Sequence, residues 1–283
     1  MIDIKDFTGY PPTWCPGCGD WGILNSLKQS FVKLNLNPSD VIVVFGIGCS
    51  GNMNDFLNCV GFHALHGRSI PNAVGIKIAN HKIPVIAVVG DGDCYGEGGN
   101  HFIHACRGNH DITVIVHDNR VYSLTTGQVS PTSPKKFKSK STPNGVIENP
   151  LNPLSISLLS GATFVAQTFA GDLLHMTNTI IAGIKHKGFS LINVLQPCVT
   201  FNKINTFKYY LEKSYKLSND YKPDNFKGAL EKSLEFFEEK YPLGILYKTD
   251  APTYTDQLEQ IKKESLVSRE RFTNFEDVLK EFK

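Results

Sequence analysis

Five short apolar runs, separated by segments with helical spacing, constrain most strongly how this 283-residue chain can fold. The runs are rich in β-branched residues and do not alternate between apolar and polar positions. That pattern is typical of parallel strands that are buried on both faces. The runs cover residues 41–46, 83–89, 112–116, 162–167 and 190–195. Because strands and helices alternate along the chain, we predict an α/β fold with a doubly wound, mainly parallel sheet.

The predicted helices cover residues 21–34, 101–107 and 173–185, and the last of these follows Asp172, a good N-cap residue. After about residue 205, Lys, Glu and scattered aromatic residues dominate, and no further strand is predicted. We therefore expect an α/β domain over 1–204 and a helical or irregular C-terminal extension over 205–283. The extension would pack on that domain or on a partner subunit. Residues 130–149, rich in Pro, Ser and Lys, would form a long surface loop.

Charge and composition exclude several classes of partner. The net charge is +2, so the chain has no overall field that favours nucleic acid or an anionic membrane, and the basic stretch at 135–140 is interpreted as a solvated loop. The apolar runs fall far short of the ~20 residues that a membrane-spanning helix needs. Residues 2–6 do not resemble a signal peptide. With seven cysteines, we expect a cytoplasmic protein whose thiols are reduced or bind metal.

Polar residues follow two neighbouring predicted strands. The sequence Gly-Asp-Gly-Asp at 90–93 closes the second strand, and Asn119 follows the third. Because ligands of open α/β sheets bind outside the carboxyl ends of the strands, both clusters should lie at one edge. Magnesium usually takes one or two protein carboxylates together with phosphate oxygens and water. We therefore predict that the Asp91 carboxylate, the Asn119 amide oxygen and the Val121 carbonyl bind Mg²⁺ beside a diphosphate.

The two glycines of this motif, Gly90 and Gly92, allow the backbone to approach an anion closely. A Gly-Asp-Gly sequence alone is more typical of an ordinary turn after a strand than of a ligand site. The second polar cluster at Asn119 favours the functional interpretation. The arrangement resembles the diphosphate-binding motif of thiamine diphosphate enzymes.

Four cysteines form a second constellation. Cys15 and Cys18 have the spacing by which two thiolates bind one metal ion or cluster. Cys49 follows the first strand and Cys198 follows the fifth, so both should lie at the same sheet edge as Asp91. The four could hold an iron–sulfur cluster beside the cofactor; a structural zinc site and unrelated buried cysteines are the alternatives. The other cysteines are expected to be small buried apolar residues, namely Cys59, Cys94 and Cys106.

Together these motifs resemble the β subunits of 2-oxoacid:ferredoxin oxidoreductases, the family that includes pyruvate and 2-oxoglutarate synthases. The matching stretches extend over nearly the whole chain. They are WCPGCGD at 14–20, GIGCSG at 46–51, FHALHGR at 62–68, GDGD at 90–93, GGNHF at 98–102, LTTGQ at 124–128, QPC at 196–198 and YPLGILY at 241–247.

The resemblance implies a role for particular residues. It implies one [4Fe-4S] cluster on Cys15, Cys18, Cys49 and Cys198, and magnesium on Asp91, Asn119 and Val121. It implies thiamine diphosphate contacts at Ile47, Gly48, Cys49, Ser50, His66, Gly67, Arg68, Gly90, Gly92, Asp93, Ser123, Leu124 and Thr125. Two positions depart from common family forms. Ser123 stands where glycine is usual, and Thr126 stands where many members carry a lysine implicated in contacts to substrate or coenzyme A.

The resemblance also implies an activity and partners. Such β subunits work with an α (or fused γα) subunit in the coenzyme A-dependent oxidative decarboxylation of a 2-oxoacid, such as pyruvate or 2-oxoglutarate, to acyl-CoA and CO₂. Electrons pass through the cluster to ferredoxin. No convincing activating glutamate is found in this chain, so it is expected on the partner. The alternatives are a non-redox thiamine diphosphate-dependent decarboxylase or synthase subunit with a structural zinc, and a zinc-stabilised interaction subunit.

The C-terminal extension is expected to contribute to the contact with the partner subunit. Its aromatic residues would suit an obligate interface, which tends to be large and apolar. They are Phe207, Tyr209, Tyr210, Phe236 and Phe237.

Overall fold

A computed structural model of the chain describes residues 2–269 and 274–282. Its strands, in chain order, are β1 (Ile42–Phe45), β2 (Val60–His63), β3 (Val85–Gly90), β4 (Thr113–Asp118), β5 (Val121–Tyr122), β6 (Gln128–Val129), β7 (Phe164–Phe169), β8 (Ser190–Leu195), β9 (Ser214–Lys216) and β10 (Tyr241–Lys248). Eight of them form one sheet in the order β2-β1-β3-β4-β8-β7-β10-β9, and β5 pairs with β6 separately.

The sheet is mainly parallel, as predicted. The pairs from β2 across to β7 are all parallel, β10 runs antiparallel to β7, and β9 is parallel to β10. All five predicted strands are present. Residues of β3 alternate between the two faces: Val85, Ala87 and Val89 belong to one apolar cluster, and Ile86 and Val88 belong to the other. The sheet is therefore buried on both faces, which explains the continuous apolar runs.

Helices cover both faces. They are α1 (Asp20–Lys33), α2 (Met53–Phe56), α3 (Ser69–Ala79), α4 (Gly99–Arg107), α5 (Pro153–Leu159), α6 (Leu173–Lys185), α7 (Phe207–Lys213), α8 (Phe226–Leu234) and α9 (Phe275–Lys280). Residues of α1 and α6 pack in one apolar cluster, and residues of α3, α4, α5 and α8 pack in the other. The α/β doubly wound fold is confirmed. Helix α6 has the predicted bounds, and its N-cap Asp172 accepts a hydrogen bond from His175 N–H at 3.1 Å.

The prediction that no strand follows residue 205 is wrong. Strand β10 extends the main sheet beyond β7, and β9 pairs with β10. The apolar run in β10 is interrupted by Pro242 and by Gly244, which has a φ of +142°, and its register shifts between Ile245 and Tyr247. Because proline and glycine are typical of turns, this stretch does not have the sequence pattern of a strand. Strands before and after residue 204 belong to the same sheet. The division into an α/β domain over 1–204 and an extension over 205–283 stays a prediction.

The segment at 130–149 contains no helix or strand, as predicted for a loop. Its first residues are not on the surface, however, because Ser130, Thr132 and Ser133 are buried. Within the described ranges, no helix is long and apolar enough to cross a membrane.

Candidate active site

The carboxyl ends of β3 and β4 lie at a cavity of about 490 Å³, called here the cofactor cavity. Strand β3 ends at Gly90, and Asp91 leads into a wide helical turn, Gly92–Glu97. Turns of this π-helical kind are frequent at functional sites. Glycine is required at position 92 because a Cβ atom there would overlap the Tyr122 ring. The Tyr122 ring therefore packs directly against the backbone of this turn.

The Asp91 carboxylate is 1% exposed and is contacted by two hydroxyl groups. Ser130 Oγ and Thr132 Oγ1 each lie 2.6 Å from Asp91 Oδ2. Thr132 Oγ1 is also 2.9 Å from Oδ1 of Asp118, whose Oδ2 accepts a hydrogen bond from Asn193 Nδ2 at 3.2 Å. A threonine hydroxyl carries one hydrogen, so it can donate to only one of the two carboxylates at a time.

Burial, and after it the neighbouring Asp118 carboxylate, raises the pKa of Asp91 to about 7. Two adjacent buried carboxylates favour a cation, because a positive charge offsets both their desolvation and their repulsion. Magnesium prefers oxygen ligands of this kind. The donor set around Asp91 therefore fits the predicted magnesium site.

The other two predicted magnesium ligands lie on the turn that follows β4. Asn119 Oδ1 accepts a hydrogen bond from Val121 N–H at 3.0 Å, and Asn119 Nδ2 donates to Ser123 Oγ at 3.2 Å. The oxygen keeps a second lone pair that a cation could use. Asn119 and Val121 line the same cavity as Asp91, so the structure brings the three predicted positions together.

Arg120 connects this turn to the C-terminal extension. It has a left-handed backbone, with a φ of +61°, and its side chain is buried. The guanidinium carbon lies 5.0 Å from the ring centre of Tyr241, 5.1 Å from that of Phe236 and 5.9 Å from that of Tyr210. Cation–π contacts contribute about 0.5–2 kcal/mol each, depending on desolvation. The extension thus stabilises the turn that carries Asn119.

Most of the predicted thiamine diphosphate contacts line the cofactor cavity. These are Ile47, Gly48, Cys49, Ser50, His66, Gly90, Gly92, Asp93, Ser123, Leu124 and Thr125. Two predicted thiamine diphosphate contacts, Gly67 and Arg68, lie outside this lining, and so does Thr126, the predicted substrate or coenzyme A contact. Gly67 N–H donates to Asp93 Oδ1 at 2.7 Å, the exposed Arg68 lies 2.6 Å from His101 Nε2, and Thr126 is exposed with a φ of +79°. Gly67 therefore contacts the cavity through Asp93.

Polar atoms of the cavity wall are available to a polar ligand. Ser50 Oγ and His117 Nε2 are buried and have no hydrogen-bond partner among the described residues. Both side chains line the cavity. Buried polar groups usually have a partner, so such atoms indicate a place for a ligand or water. At the rim, His66 Nδ1 lies 2.9 Å from Asp93 Oδ1 and 3.3 Å from Glu97 Oε2.

The four predicted cluster cysteines line a second cavity of about 610 Å³, called here the cysteine cavity. Cys15 and Cys18 are joined by a tight turn in which Cys18 N–H donates to the Cys15 carbonyl at 3.0 Å. Cys49 and Cys198 approach from the loops after β1 and β8. The structure thus brings together the four residues that the sequence singled out.

Hydroxyl and amide groups contact three of these sulfur atoms. Thr200 Oγ1 donates to Cys15 Sγ at 3.1 Å, and Ser123 Oγ donates to Cys49 Sγ at 3.2 Å. Gln196 Nε2 donates to Cys18 Sγ at 3.3 Å. These three donors, Thr200, Ser123 and Gln196, stabilise negative charge on the sulfur atoms that they contact.

The buried thiols need a positive charge to ionise. Burial raises the pKa of Cys49 to about 11, and burial followed by the Asp20 carboxylate raises that of Cys18 still further. Metal binding deprotonates such thiols. Within residues 2–269 and 274–282, no group of three or more His, Cys, Asp or Glu side chains is arranged to hold a single metal ion.

The two cavities adjoin. Cys49, Ser123 and Leu124 line both of them. A second connection runs through Asp20, whose Oδ2 lies 3.3 Å from Cys18 Sγ and whose Oδ1 lies 2.6 Å from Nδ1 of His117. The remaining cysteines line neither cavity: Cys94 and Cys106 are buried and Cys59 is half-buried.

Comparisons with known proteins agree with this geometry. The family described as "Thiamine pyrophosphate enzyme, C-terminal TPP binding domain" matches residues 46–194. The family that describes the carboxy-terminal part of the pyruvate ferredoxin oxidoreductase beta subunit matches residues 198–263. A 2-oxoacid:ferredoxin oxidoreductase subunit beta from Sulfolobus sp is 44% identical over 266 residues, covering 89% of this chain and 87% of the relative. The chain belongs to the family of 2-oxoacid:ferredoxin oxidoreductase β subunits.

A further relative and a solved structure are also similar to this β subunit. The 2-oxoglutarate synthase subunit KorB of Methanocaldococcus jannaschii is 35% identical and covers 89% of this chain and 93% of its own length. A solved structure, 2-oxoglutarate:ferredoxin oxidoreductase from Magnetococcus marinus with 2-oxoglutarate, coenzyme A and succinyl-CoA bound, superposes with a TM-score of 0.92 at 36% identity. The aligned region covers 100% of this chain and 96% of the Magnetococcus chain. The β subunit is thus one chain of a heteromeric oxidoreductase.

Sequence reasoning missed several residues of the β-subunit site. Ser130 and Thr132 hold Asp91 from a segment interpreted as a surface loop. Asp20 and His117 form a buried pair between the cavities. Two of these residues carried a signal. Asp20 directly follows the cysteine turn in the matching stretch at 14–20, and His117 begins the polar cluster after the third predicted strand.

Proposed function

We propose that this β subunit, with its partner subunit, catalyses the coenzyme A-dependent oxidative decarboxylation of a 2-oxoacid to acyl-CoA and CO₂. Electrons would pass through one [4Fe-4S] cluster to ferredoxin. The observation that carries the proposal is the shared wall of the two cavities, formed by Cys49, Ser123 and Leu124. A redox decarboxylase needs an electron acceptor next to its cofactor, whereas a non-redox decarboxylase does not.

The cofactor cavity would hold thiamine diphosphate with magnesium. Asp91, Asn119 and the Val121 carbonyl would supply oxygen atoms for the cation, whose charge would offset the repulsion between the buried Asp91 and Asp118 carboxylates. Ser50 Oγ and His117 Nε2 would hydrogen-bond to the cofactor. When bound, thiamine diphosphate stabilises a carbanion and accepts electrons. The protein would orient the cofactor and surround it with buried polar groups.

The cysteine cavity would hold the cluster. In a cubane cluster each thiolate binds a different iron, so the sulfur atoms stand farther apart than around one ion. Zinc would hold the four thiolates around one ion, but it cannot accept electrons from a cofactor in the adjoining cavity. The shared wall of the two cavities therefore supports a cluster over the zinc alternative. A cytoplasmic location would suit the seven cysteines, all of which are free thiols in the described chain.

A partner subunit would complete the active site. No glutamate lines the cofactor cavity within the described ranges. Glu97 hydrogen-bonds to the Tyr122 hydroxyl at 3.2 Å and contacts His66, but it lies outside the lining itself. Thiamine enzymes use a glutamate against the cofactor's aminopyrimidine ring, so we expect the partner subunit to supply it.

The surface proposed for the partner includes only part of the aromatic set expected from the sequence. Of the five aromatic residues in the extension, Tyr210 and Phe236 are buried inside this chain, beside Tyr241, and are not available for an interface. Phe207 and Tyr209 are partly buried, and Phe237 is 59% exposed and remains available. The edge strand β2 is exposed as well. Phe62 in that strand is 46% exposed, and Leu65 just after it is 77% exposed. An uncovered apolar sheet edge suits a large subunit interface.

The two candidate 2-oxoacids are pyruvate and 2-oxoglutarate. The Magnetococcus structure contains 2-oxoglutarate, and several relatives are named for it. Thr126, which stands where many family members carry lysine, gives no fixed positive charge for a second carboxylate. Comparison of kcat/KM for the two substrates with the complete enzyme decides between them.

Anaerobic co-expression with the candidate α subunit tests the proposal. We expect 2-oxoacid- and coenzyme A-dependent reduction of a viologen dye by the complex and none by the isolated β subunit. Iron, zinc and thiamine diphosphate are measured on the same sample. Turnover by the β subunit alone would contradict the need for a partner. Zinc without iron, or CO₂ release without dye reduction, would favour the non-redox alternative.

A further inference from the structure

Ser123 stands at the boundary between the two cavities. Its side chain is 8% exposed and lines both of them. Its hydroxyl lies 3.2 Å from Asn119 Nδ2 on one side and 3.2 Å from Cys49 Sγ on the other. It is therefore in contact with both a predicted magnesium ligand and a predicted cluster ligand.

The direction of these hydrogen bonds is fixed by the backbone. Val121 N–H can only donate, so the Asn119 side-chain atom 3.0 Å from it must be the oxygen. The NH₂ group of Asn119 then faces Ser123 Oγ and donates to it. A serine hydroxyl has a single hydrogen, and with Asn119 as its donor that hydrogen is left for the Cys49 sulfur. Ser123 is thus a donor to Cys49 because of how Val121 orients Asn119.

A donor at this position has an electrostatic consequence. A cluster becomes more negative when it is reduced, and a hydrogen bond to a ligating sulfur stabilises that added charge. The hydrogen bond from Asn119 polarises the Ser123 hydroxyl and strengthens the bond to sulfur. Little water screens the contact, because Ser123 is buried.

We propose that Ser123 is a positioning residue that raises the reduction potential of the cluster by hydrogen-bonding to the Cys49 sulfur. The inference rests on the proposed function, because it requires a [4Fe-4S] cluster on the four cysteines. It assigns to Ser123 a role toward the electron acceptor in addition to its place in the cofactor cavity.

The test is a redox titration, monitored by electron paramagnetic resonance, of the anaerobically purified complex. Ser123→Ala removes the donor and should shift the midpoint to a more negative potential at full iron content. At a fixed potential the oxidised-to-reduced ratio should rise by up to about tenfold, which is about 59 mV for one electron. The exchangeable proton near the reduced cluster, detected by electron–nuclear double resonance in H₂O against D₂O, should disappear.

Two further variants separate this effect from a general loss of packing. Ser123→Thr keeps a hydroxyl and should keep both the parent midpoint and the exchangeable proton. Ser155→Ala is the matched control, since Ser155 is also 8% exposed and hydrogen-bonds to Ser233, outside both cavities. An unchanged midpoint in Ser123→Ala at full iron content overturns the inference and leaves the cluster assignment intact. A parent complex without iron overturns the proposed cluster, and the inference with it.

Discussion

The cofactor cavity and the cysteine cavity share a wall but are built differently. Asp91 of the cofactor cavity follows β3 directly, Asn119 follows β4, and hydroxyl groups at 130 and 132 hold the Asp91 carboxylate. The cysteine cavity takes its sulfur atoms from three separate loops, and Cys15 is exposed. One cavity thus rests on the ends of buried strands, and the other brings together loops.

Both cavities hold their ligating groups by hydrogen bonds, but the atoms that they offer to a metal differ. The cofactor cavity offers carboxylate and amide oxygen atoms, which suit magnesium. The cysteine cavity offers thiols, and those at 18 and 49 have raised pKa values and ionise more readily when a metal supplies positive charge. Because Asp91 lines only the first cavity and Cys198 only the second, loss of either residue should have little effect on ligand binding in the other cavity.

Replacement of Asp91 should have the largest effect. Asp91→Ala removes the buried carboxylate of the magnesium site, so affinity for magnesium with thiamine diphosphate should fall more than about 100-fold, and dye reduction should fall to background. Iron content should stay at the parent value. Titration calorimetry and iron analysis measure the two quantities. Asp224→Ala, on the exposed surface, is the control; tight cofactor binding by Asp91→Ala would show that the site is wrongly placed.

Replacement of Cys198 should abolish the cluster and preserve the cofactor site. Cys198→Ser removes one of four thiolates, so we expect iron and the broad visible absorption to be lost together. Thiamine diphosphate affinity should change by less than about tenfold, because Cys198 does not line the cofactor cavity. Cys59→Ser, in neither cavity, should keep its iron. Parent-level iron in Cys198→Ser would contradict the ligand assignment.

Removal of the Thr132 hydroxyl should weaken the magnesium site without abolishing it. Thr132→Val keeps the shape of the side chain and removes the group that lies between Asp91 and Asp118. Loss of a hydrogen bond to a metal-binding side chain typically lowers metal affinity about 10–100-fold. Thr177→Val is the matched control, because Thr177 is equally buried but lies in α6. Equal magnesium affinity in both variants would show that Thr132 does not orient Asp91.

A change outside both cavities should affect stability alone. Asp172→Ala removes the N-cap of α6 and should lower the free energy of unfolding by about 1 kcal/mol. Cofactor and iron binding should be unchanged. Burial opposes ionisation of Asp172, but the hydrogen bonds from Lys216 and from His175 N–H lower its pKa.

The pH dependence of the Asp172→Ala effect follows from that lowered pKa. A depressed folded-state pKa stabilises the protein above the unfolded value of about 3.9 and ceases to do so as the pH falls through the folded value. The stability difference between parent and variant should therefore shrink as the pH falls below about 4. Chemical denaturation at pH 7 and at lower pH measures it; a difference that grows toward low pH would contradict the assignment.

The positions of Asp91, Asn119 and Val121 could be predicted because they depend on a local rule. Polar residues directly after buried parallel strands must lie at one edge of the sheet. The contacts of Ser130 and Thr132 could not be predicted, since no motif distinguishes their hydroxyl groups from those of a solvated loop. Strand β10 was missed because proline and glycine interrupt it, and the pairing with β7 outweighs those local preferences.

The sequence by itself determined the doubly wound fold, the edge of the sheet that carries the site, and the four cysteines that meet beside it. Each of these follows from apolar periodicity or from spacing along the chain, which are local properties. Only the tertiary structure decided that Thr132 lies between two carboxylates, that Arg120 is enclosed by rings of the extension, and that Ser123 lies between the cavities. Such contacts join residues that are far apart in sequence, or they depend on side-chain directions that packing sets. Local sequence patterns therefore cannot predict them.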